Sequence, residues 1–534
     1  MRSSLHPALV FAVIFFGIFL LHAPLVRLPY FWDEAGYYVP AARDLLLHKS
    51  LIPLTTVSNA HPPLVMAWVA LWWKCAGYAP LVTRSAMLLV AAFSLLGVFR
   101  LAERVANTQV AIASTLCTAL YPVFFAQSSL AQVDLAAAGL TFWGLSCYVE
   151  DRPIAAAIWF SFAALAKETA IVAPVALIGW ALLGRIARRG RWRGLWHRDD
   201  PARDRGAGRT AFLLISLIPL ALWYAYHYSR TGYIFGNPEF FRYNVAATLN
   251  PLRFLLALVL RLWQTFGYLH LWILTLAMVL AMQFPPRKDG DIERPRIPVP
   301  VQMTFLVVVA AYVIVMALIG GAVLARYLLP AVPLVVIEAV STLRRRWRYW
   351  TAAVGVIAVA FIVGWFWNPP YGFSPEDNLA YRDYVRLHQE AERVLEARYP
   401  MARVLTAWPA SDELTRPWLG YMTRPMQVVR IEDFSLVQVI SAADFRENFD
   451  VALVFSTKYE PARPLLGQWS AWTDLKRRFF GYEQDLPAPA AAQILGARIV
   501  FSAERKGQRI AVLEIEKPEI LNAGASQRLA APHP

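Results

Sequence analysis

The chain reads as an α-helical polytopic membrane protein of about eleven spans, followed by a small extracytoplasmic α/β domain. Three observations predict this. Of its 534 residues 57% are hydrophobic and only 17% charged, with a mean hydropathy of +0.41; soluble domains are more polar. Apolar runs near twenty residues recur along the first two thirds. From about Tyr371 the pattern changes to short apolar runs alternating with charged, helix-periodic stretches.

The formal charge of +15 is uneven. Nine Arg lie between Arg185 and Arg209, and a second cluster is Arg344-Arg345-Arg346-Trp347-Arg348. Both abut apolar spans, which marks a cytoplasmic membrane face rather than a nucleic-acid surface. No nucleic-acid partner is expected; membrane lipids are. The 20 Trp and 22 Tyr suit membrane–water interfaces. Cys75, Cys117 and Cys147 lie in apolar segments without CxxC spacing, and their odd count argues against a disulfide framework.

Taken in order, span 1 covers 8–28 and is uncleaved, with its N-terminus cytoplasmic. The first external loop, 29–80, holds Tyr30-Phe31-Trp32-Asp33-Glu34-Ala35-Gly36-Tyr37-Tyr38 and a Trp-rich interfacial helix from Leu64. Spans 2 to 6 cover 81–101, 109–126, 132–149, 153–166 and 169–186. Span 7, 210–228, leads to an outer loop with Arg230, Glu239 and Arg242. The stretch 251–284 is too long for one crossing and divides into an interfacial helix near 251–263 and span 8 at 266–284. The charged, proline-rich loop 285–300 is expected to be irregular. Spans 9 to 11 cover 302–322, 328–343 and 350–367, and Asn368-Pro369-Pro370 ends the membrane domain, 1–368. One threading puts both Arg clusters inside.

In the α/β domain, 371–517, Val404–Thr406, Val428–Ile431 and Val451–Phe455 read as buried strands. Ala497–Phe501 and Arg509–Glu516, joined through Lys506-Gly507, read as a hairpin. The threading places this domain outside; 518–534 is expected to be a disordered tail.

The same threading brings Asp33, Glu34, His61, Asp134, Lys167, Glu168, Arg230, Arg242 and Arg326 to the outer ends of spans. Charges at membrane depth face cavities and pair with one another. Carboxylates can take a proton from a hydroxyl or hold a divalent cation. Arg and Lys can hold a phosphate and stabilise it as it leaves. The combination fits group transfer from a lipid phosphate to a hydroxyl acceptor. A transporter or lipid flippase using the same cavity is the rival reading. It expects midplane charges and internal repeats, and the chain shows neither.

Asp33-Glu34 after span 1 resembles the acidic pair in the first external loop of the GT-C glycosyltransferases, with protein O-mannosyltransferases and lipid A aminoarabinose transferases the nearest relatives. His61-Pro62-Pro63-Leu64 resembles a Lys-Pro-Pro-Leu of the aminoarabinose branch. Asp134 looks like a second acidic position, and Arg326-Tyr327-Leu328-Leu329-Pro330 is similar to an Arg-Tyr-Leu-X-Pro stretch opening a late span. The resemblance covers about 1–345. It implies a bacterial inner-membrane glycosyltransferase with a polyprenyl-phosphate-sugar donor and a glycan, lipid or protein acceptor. The expected catalytic residues are Asp33 and Glu34. Arg326, Lys167 and His61 are expected to bind the donor phosphate, and Asp134 and Glu168 to associate with acceptor or cation. A divalent metal is a candidate cofactor. The His at 61, in place of Lys, points away from lipid A and aminoarabinose. The C-terminal section does not resemble MIR repeats, which points away from protein as acceptor.

Overall fold

The computed structural model describes residues 6–189, 206–236, 238, 248–461 and 469–516. The chain divides into two compact units, 1–385 with 459–482, and 386–458 with 483–534.

The first unit is helical. Among the described residues, four helices are long and apolar enough to cross a membrane: Pro80–Val105, Ala211–Thr231, Pro251–Ala281 and Val299–Leu318. Shorter apolar helices include Pro7–His22, Leu64–Ala76, Thr108–Leu120, Pro153–Ala166 and Trp350–Phe366. Proline opens several of them, at Pro7, Pro80, Pro122, Pro153 and Pro251, where its missing N–H costs nothing. Side chains cap two helices. Asn107 Oδ1 accepts from Val110 N, and Asn250 Oδ1 accepts from the amides of Leu252 and Arg253.

Two expected elements differ in detail, and one, the stretch from Pro251, divides as expected. Span 3 is two helices, Thr108–Leu120 and Pro122–Gln127, because Pro122 cannot continue the first. Within Pro251–Ala281, Leu269 and His270 take positive φ (46° and 70°) and divide Pro251–Phe266 from Leu271–Ala281. The loop expected to be irregular instead forms a two-rung antiparallel ladder, Lys288–Asp289 with Ile292–Glu293 around Gly290. Turn chemistry at Gly290-Asp291 outweighed the flanking prolines there.

Asp134–Val149 lies at the centre of the bundle, between Pro80–Val105 and Pro153–Ala166. Two glycines allow the approach. A Cβ on Gly139 would meet Ser94 Oγ at 1.9 Å, and one on Gly144 would meet the Phe160 ring at 2.7 Å. The helix carries Asp134 at its first position.

The expected inner face is knit by the second Arg cluster. Arg346 donates to the carbonyls of Met282 (3.2 Å) and Phe284 (2.5 Å), and Arg345 to that of Arg294 (3.0 Å). Arg344 Nε donates to Gln109 Oε1 at 2.8 Å. The carbonyls that Arg346 satisfies are those left over past a helix C-terminus. The first Arg cluster lies largely outside the described residues, as does the tail 518–534.

The second unit contains a five-stranded sheet in the order Gln427–Ile431, Arg403–Ala407, Val451–Phe455, Gln508–Ile515, Ala497–Arg505. The first three are parallel; the last two run antiparallel as a hairpin. Val451–Phe455 is buried along its whole length, as expected of a central strand with both faces covered.

Candidate functional site

The site is assembled at the ends of helices of the first unit and begins with strain. Trp32 has φ +47°, a left-handed conformation costly for a bulky residue. The chain then enters a π-helical turn, Glu34–Tyr38, a form frequent at functional sites. The kink sends the neighbouring carboxylates to different partners.

Glu34 is fully buried. Its Oε1 accepts from Ala131 N (2.6 Å) and its Oε2 from Phe31 N (2.9 Å). Arg84, also fully buried, adds contacts at 3.4 and 3.2 Å. Arg84 donates further to the carbonyls of Leu28, Pro29 and Ser129. Glu34, expected beside Asp33 as catalytic, therefore has its lone pairs engaged in holding the first loop against the Ser129–Ala131 turn. Removing either partner would leave a buried uncompensated charge.

Asp33 turns the other way and keeps a fifth of its side chain exposed. Its Oδ2 accepts from Arg326 Nη2 at 2.5 Å. Arg326 sits in the single turn Ala325–Leu328 that leads into helix Val332–Arg346. Its guanidinium meets two more carboxylates. Nη1 donates to Glu376 Oε2 and, at 2.8 Å, to Gln132 Oε1. Nε lies 3.2 Å from Asp134 Oδ2, out of line for a hydrogen bond, so both atoms keep unused capacity. Asp134 Oδ1 accepts from Lys167 Nζ at 2.5 Å. Lys167 follows helix Pro153–Ala166 as its C-cap residue and lies 4.0 Å over the Tyr327 ring.

Beside this lies a second pair. Ala60 has φ +58°, and His61 Nδ1 is 2.7 Å from Glu168 Oε2. The His61 ring stacks near Tyr38, with centroids 5.9 Å apart. Tyr37, Tyr38, Ser58, Asn59, His61 and Trp223 are among the residues lining an open cleft.

Three carboxylates (Asp33, Asp134, Glu376) thus face two cations (Arg326, Lys167) at low exposure. Ion pairs out of water depend on such mutual saturation. Burial pushes the Glu376 carboxyl up, against the pull of Arg326. Its neighbour Asp377 is pushed up to about 7, by burial and then by Glu376.

All seven expected site residues can be placed. Asp33, Asp134, Lys167 and Arg326 form one cluster, His61 and Glu168 a flanking pair, and Glu34 the buried brace. Arg230 is exposed, over the Tyr226 ring at 5.5 Å. Glu239 and Arg242 lie outside the described residues. Sequence reasoning missed Gln132, Glu376 and Arg84. Gln132 sits two residues from Asp134 in an apolar stretch, a signal that could have found it. Glu376 follows the last span in a charged segment that resembles ordinary surface.

A family model described as dolichyl-phosphate-mannose-protein mannosyltransferase matches residues 60–197. A search of curated proteins gives no match. Among solved structures, ArnT from Cupriavidus metallidurans bound to undecaprenyl phosphate is similar with a TM-score of 0.55 at 13% identity, over 95% of this chain and 97% of that one. The apo state of the same protein gives 0.54 at 13% identity, over 95% and 98%. At this identity the likeness is one of fold.

Proposed function

We propose that this chain, a multi-pass membrane protein of the GT-C fold, is a glycosyltransferase. It moves a sugar from a polyprenyl-phosphate-linked donor to an acceptor on the extracytoplasmic face of a bacterial inner membrane, through a bundle of about eleven spans. The observation that carries this reading is the Asp33–Arg326–Asp134–Lys167 cluster. It sets a partly exposed carboxylate, Asp33, against Arg326, with Lys167 joined to the same arginine through Asp134. The family match over 60–197 and the fold shared with a protein bound to undecaprenyl phosphate support it.

Asp33 accepts the proton of the acceptor hydroxyl, whose oxygen attacks the anomeric carbon in one displacement with inversion. The bond to the lipid phosphate breaks as the new glycosidic bond forms. Arg326 and Lys167 take up the charge on the departing phosphate, with His61 at the edge of the cleft. Arg326 Nε is without a hydrogen-bond partner and Lys167 Nζ donates to Asp134, so both cations keep donors that a phosphate can take. Asp134 and Glu376 hold the cations in position. Glu34 contributes by fixing the backbone of Asp33.

The test is transfer from a polyprenyl-phosphate-sugar by purified protein carrying Asp33→Asn. Loss of turnover with unchanged melting is expected. Near-normal turnover by the folded variant would remove Asp33 from the reaction. Arg326→Ala is expected to weaken donor affinity; an unchanged donor dependence would take Arg326 out of the phosphate site.

A further inference from the structure

The second unit buries three groups for which the proposed transfer has no use. His388 and Glu392 stand one turn apart on helix Ala380–Arg398, hence on one face. Glu413 reaches them from the short helix Ala410–Thr415, which follows strand Arg403–Ala407. His388 Nδ1 lies 2.6 Å from Glu413 Oε2. Donor atoms of all three residues lie within 4.8 Å of one another. None of the three is more than 1% exposed. Both oxygens of Glu392, and Oε1 of Glu413, are buried with no hydrogen-bond partner. The Phe455 ring stands edge-on to His388 at 4.7 Å, and Phe434 packs behind it at 5.1 Å, which keeps the surroundings dry.

Two carboxylates side by side in such surroundings cannot both carry charge unless a cation accompanies them. A neutral imidazole and two carboxylates around a divalent cation sum to zero charge. They also give the idle lone pairs of Glu392 a partner. One nitrogen and two oxygen donors suit a borderline first-row ion, zinc before magnesium or calcium. The apolar aromatic wall is the environment in which such an ion contributes most to folding.

We propose that His388, Glu392 and Glu413 form a structural binding site for a divalent first-row transition cation, best matched by zinc. It ties helix Ala380–Arg398 to the helix that follows strand Arg403–Ala407. The three side chains supply three ligands, and the second oxygen of Glu392, which also lacks a partner, can fill the fourth position. The competing arrangement has no metal: Glu392 is protonated and shares its proton with Glu413.

The experiment uses the full chain purified in detergent without chelator. Metal content by mass spectrometry is expected near one zinc per chain. Chelation should lower the melting temperature, and zinc should restore it. Glu392→Gln should lose the metal and the response of melting to zinc, weakening affinity about tenfold or more. Cobalt(II) in place of zinc should give a visible spectrum that Glu392→Gln abolishes. A chain with far less than one ion, whose melting is indifferent to zinc, overturns the site. So does metal retained in Glu392→Gln, which would place the ion elsewhere. If that variant does not fold, the zinc dependence of the unaltered chain decides. These readouts do not involve sugar transfer, so failure here leaves the proposed transferase untouched, and the reverse.

Discussion

Helix Val332–Arg346 has arginine at both ends, in opposite circumstances. Just before its start, Arg326 is 2% exposed and surrounded by the side chains of Asp33, Asp134, Glu376 and Gln132. At its end, Arg344, Arg345 and Arg346 are half-buried, and Arg345 and Arg346 bond to main-chain carbonyls. The cluster at the helix end anchors. Its partners are mostly main-chain carbonyls, which any sequence would provide, with Gln109 beside Arg344 and Glu293 beside Arg345. Arg326 has acidic partners drawn from three distant segments. A charged group so thoroughly tied to other charged side chains belongs to chemistry or to its scaffold, and the two acids at 33 and 34 show how to tell these apart. Glu34 is saturated and buried; Asp33 is paired and partly open.

The contrast can be broken by substitution. The largest effect is expected from Asp33→Asn, with transfer falling about 10²–10⁴-fold, the range of a lost general base, and melting unchanged. A matching loss of melting temperature would make Asp33 a brace like Glu34. Next, Arg84→Met leaves Glu34 buried without its counter-charge and should destabilise by about 3–5 kcal/mol. Denaturant unfolding in detergent reads this, and a cost below about 1 kcal/mol would contradict the bracing role.

A third test concerns Asp377, whose Oδ2 accepts from Tyr268 Oη at 2.6 Å. Its folded pKa is raised from 3.8 to about 7. The stability due to the neutral carboxyl is therefore full below about pH 3.8 and is lost as pH rises through about 7. The loss is up to about 4 kcal/mol at about 1.36 kcal/mol per unit. Asp377→Asn should flatten melting against pH over this window; an unaltered slope would show that another group titrates. The smallest effect is expected at the C-terminal end of helix Val332–Arg346. Arg346→Ala should cost about 1 kcal/mol or less and leave transfer unchanged. A large loss of transfer would mean that this cluster does more than anchor. Reporter fusions at residues 45 and 400 test the frame itself: both should report outside, and a split would undo the common face.

Much of the fold was legible locally. The apolar runs, the proline-initiated helices and the strands at 404–406, 428–431 and 451–455 follow from periodicity, which neighbours in the chain decide. The single-residue break at Tyr121 and the ladder at 288–293 were not, because they depend on one proline and one turn inside longer patterns.

Hydrophobic length and charge bias are sums over many residues, and they were enough to make the chain a helical bundle with a strand-rich C-terminal region. They were also enough to expect nine titratable residues on one face. Which charge meets which was settled by the packing of distant segments. Arg326 and Asp33 are 293 residues apart, and Arg84 and Glu34 are 50 apart. Adjacent acids were separated by the left-handed Trp32 and the π-turn after it, and Glu376 was drawn in from beyond the last span. Pairing energies depend on distance and burial in three dimensions, and neither is a property of a residue's place in the chain.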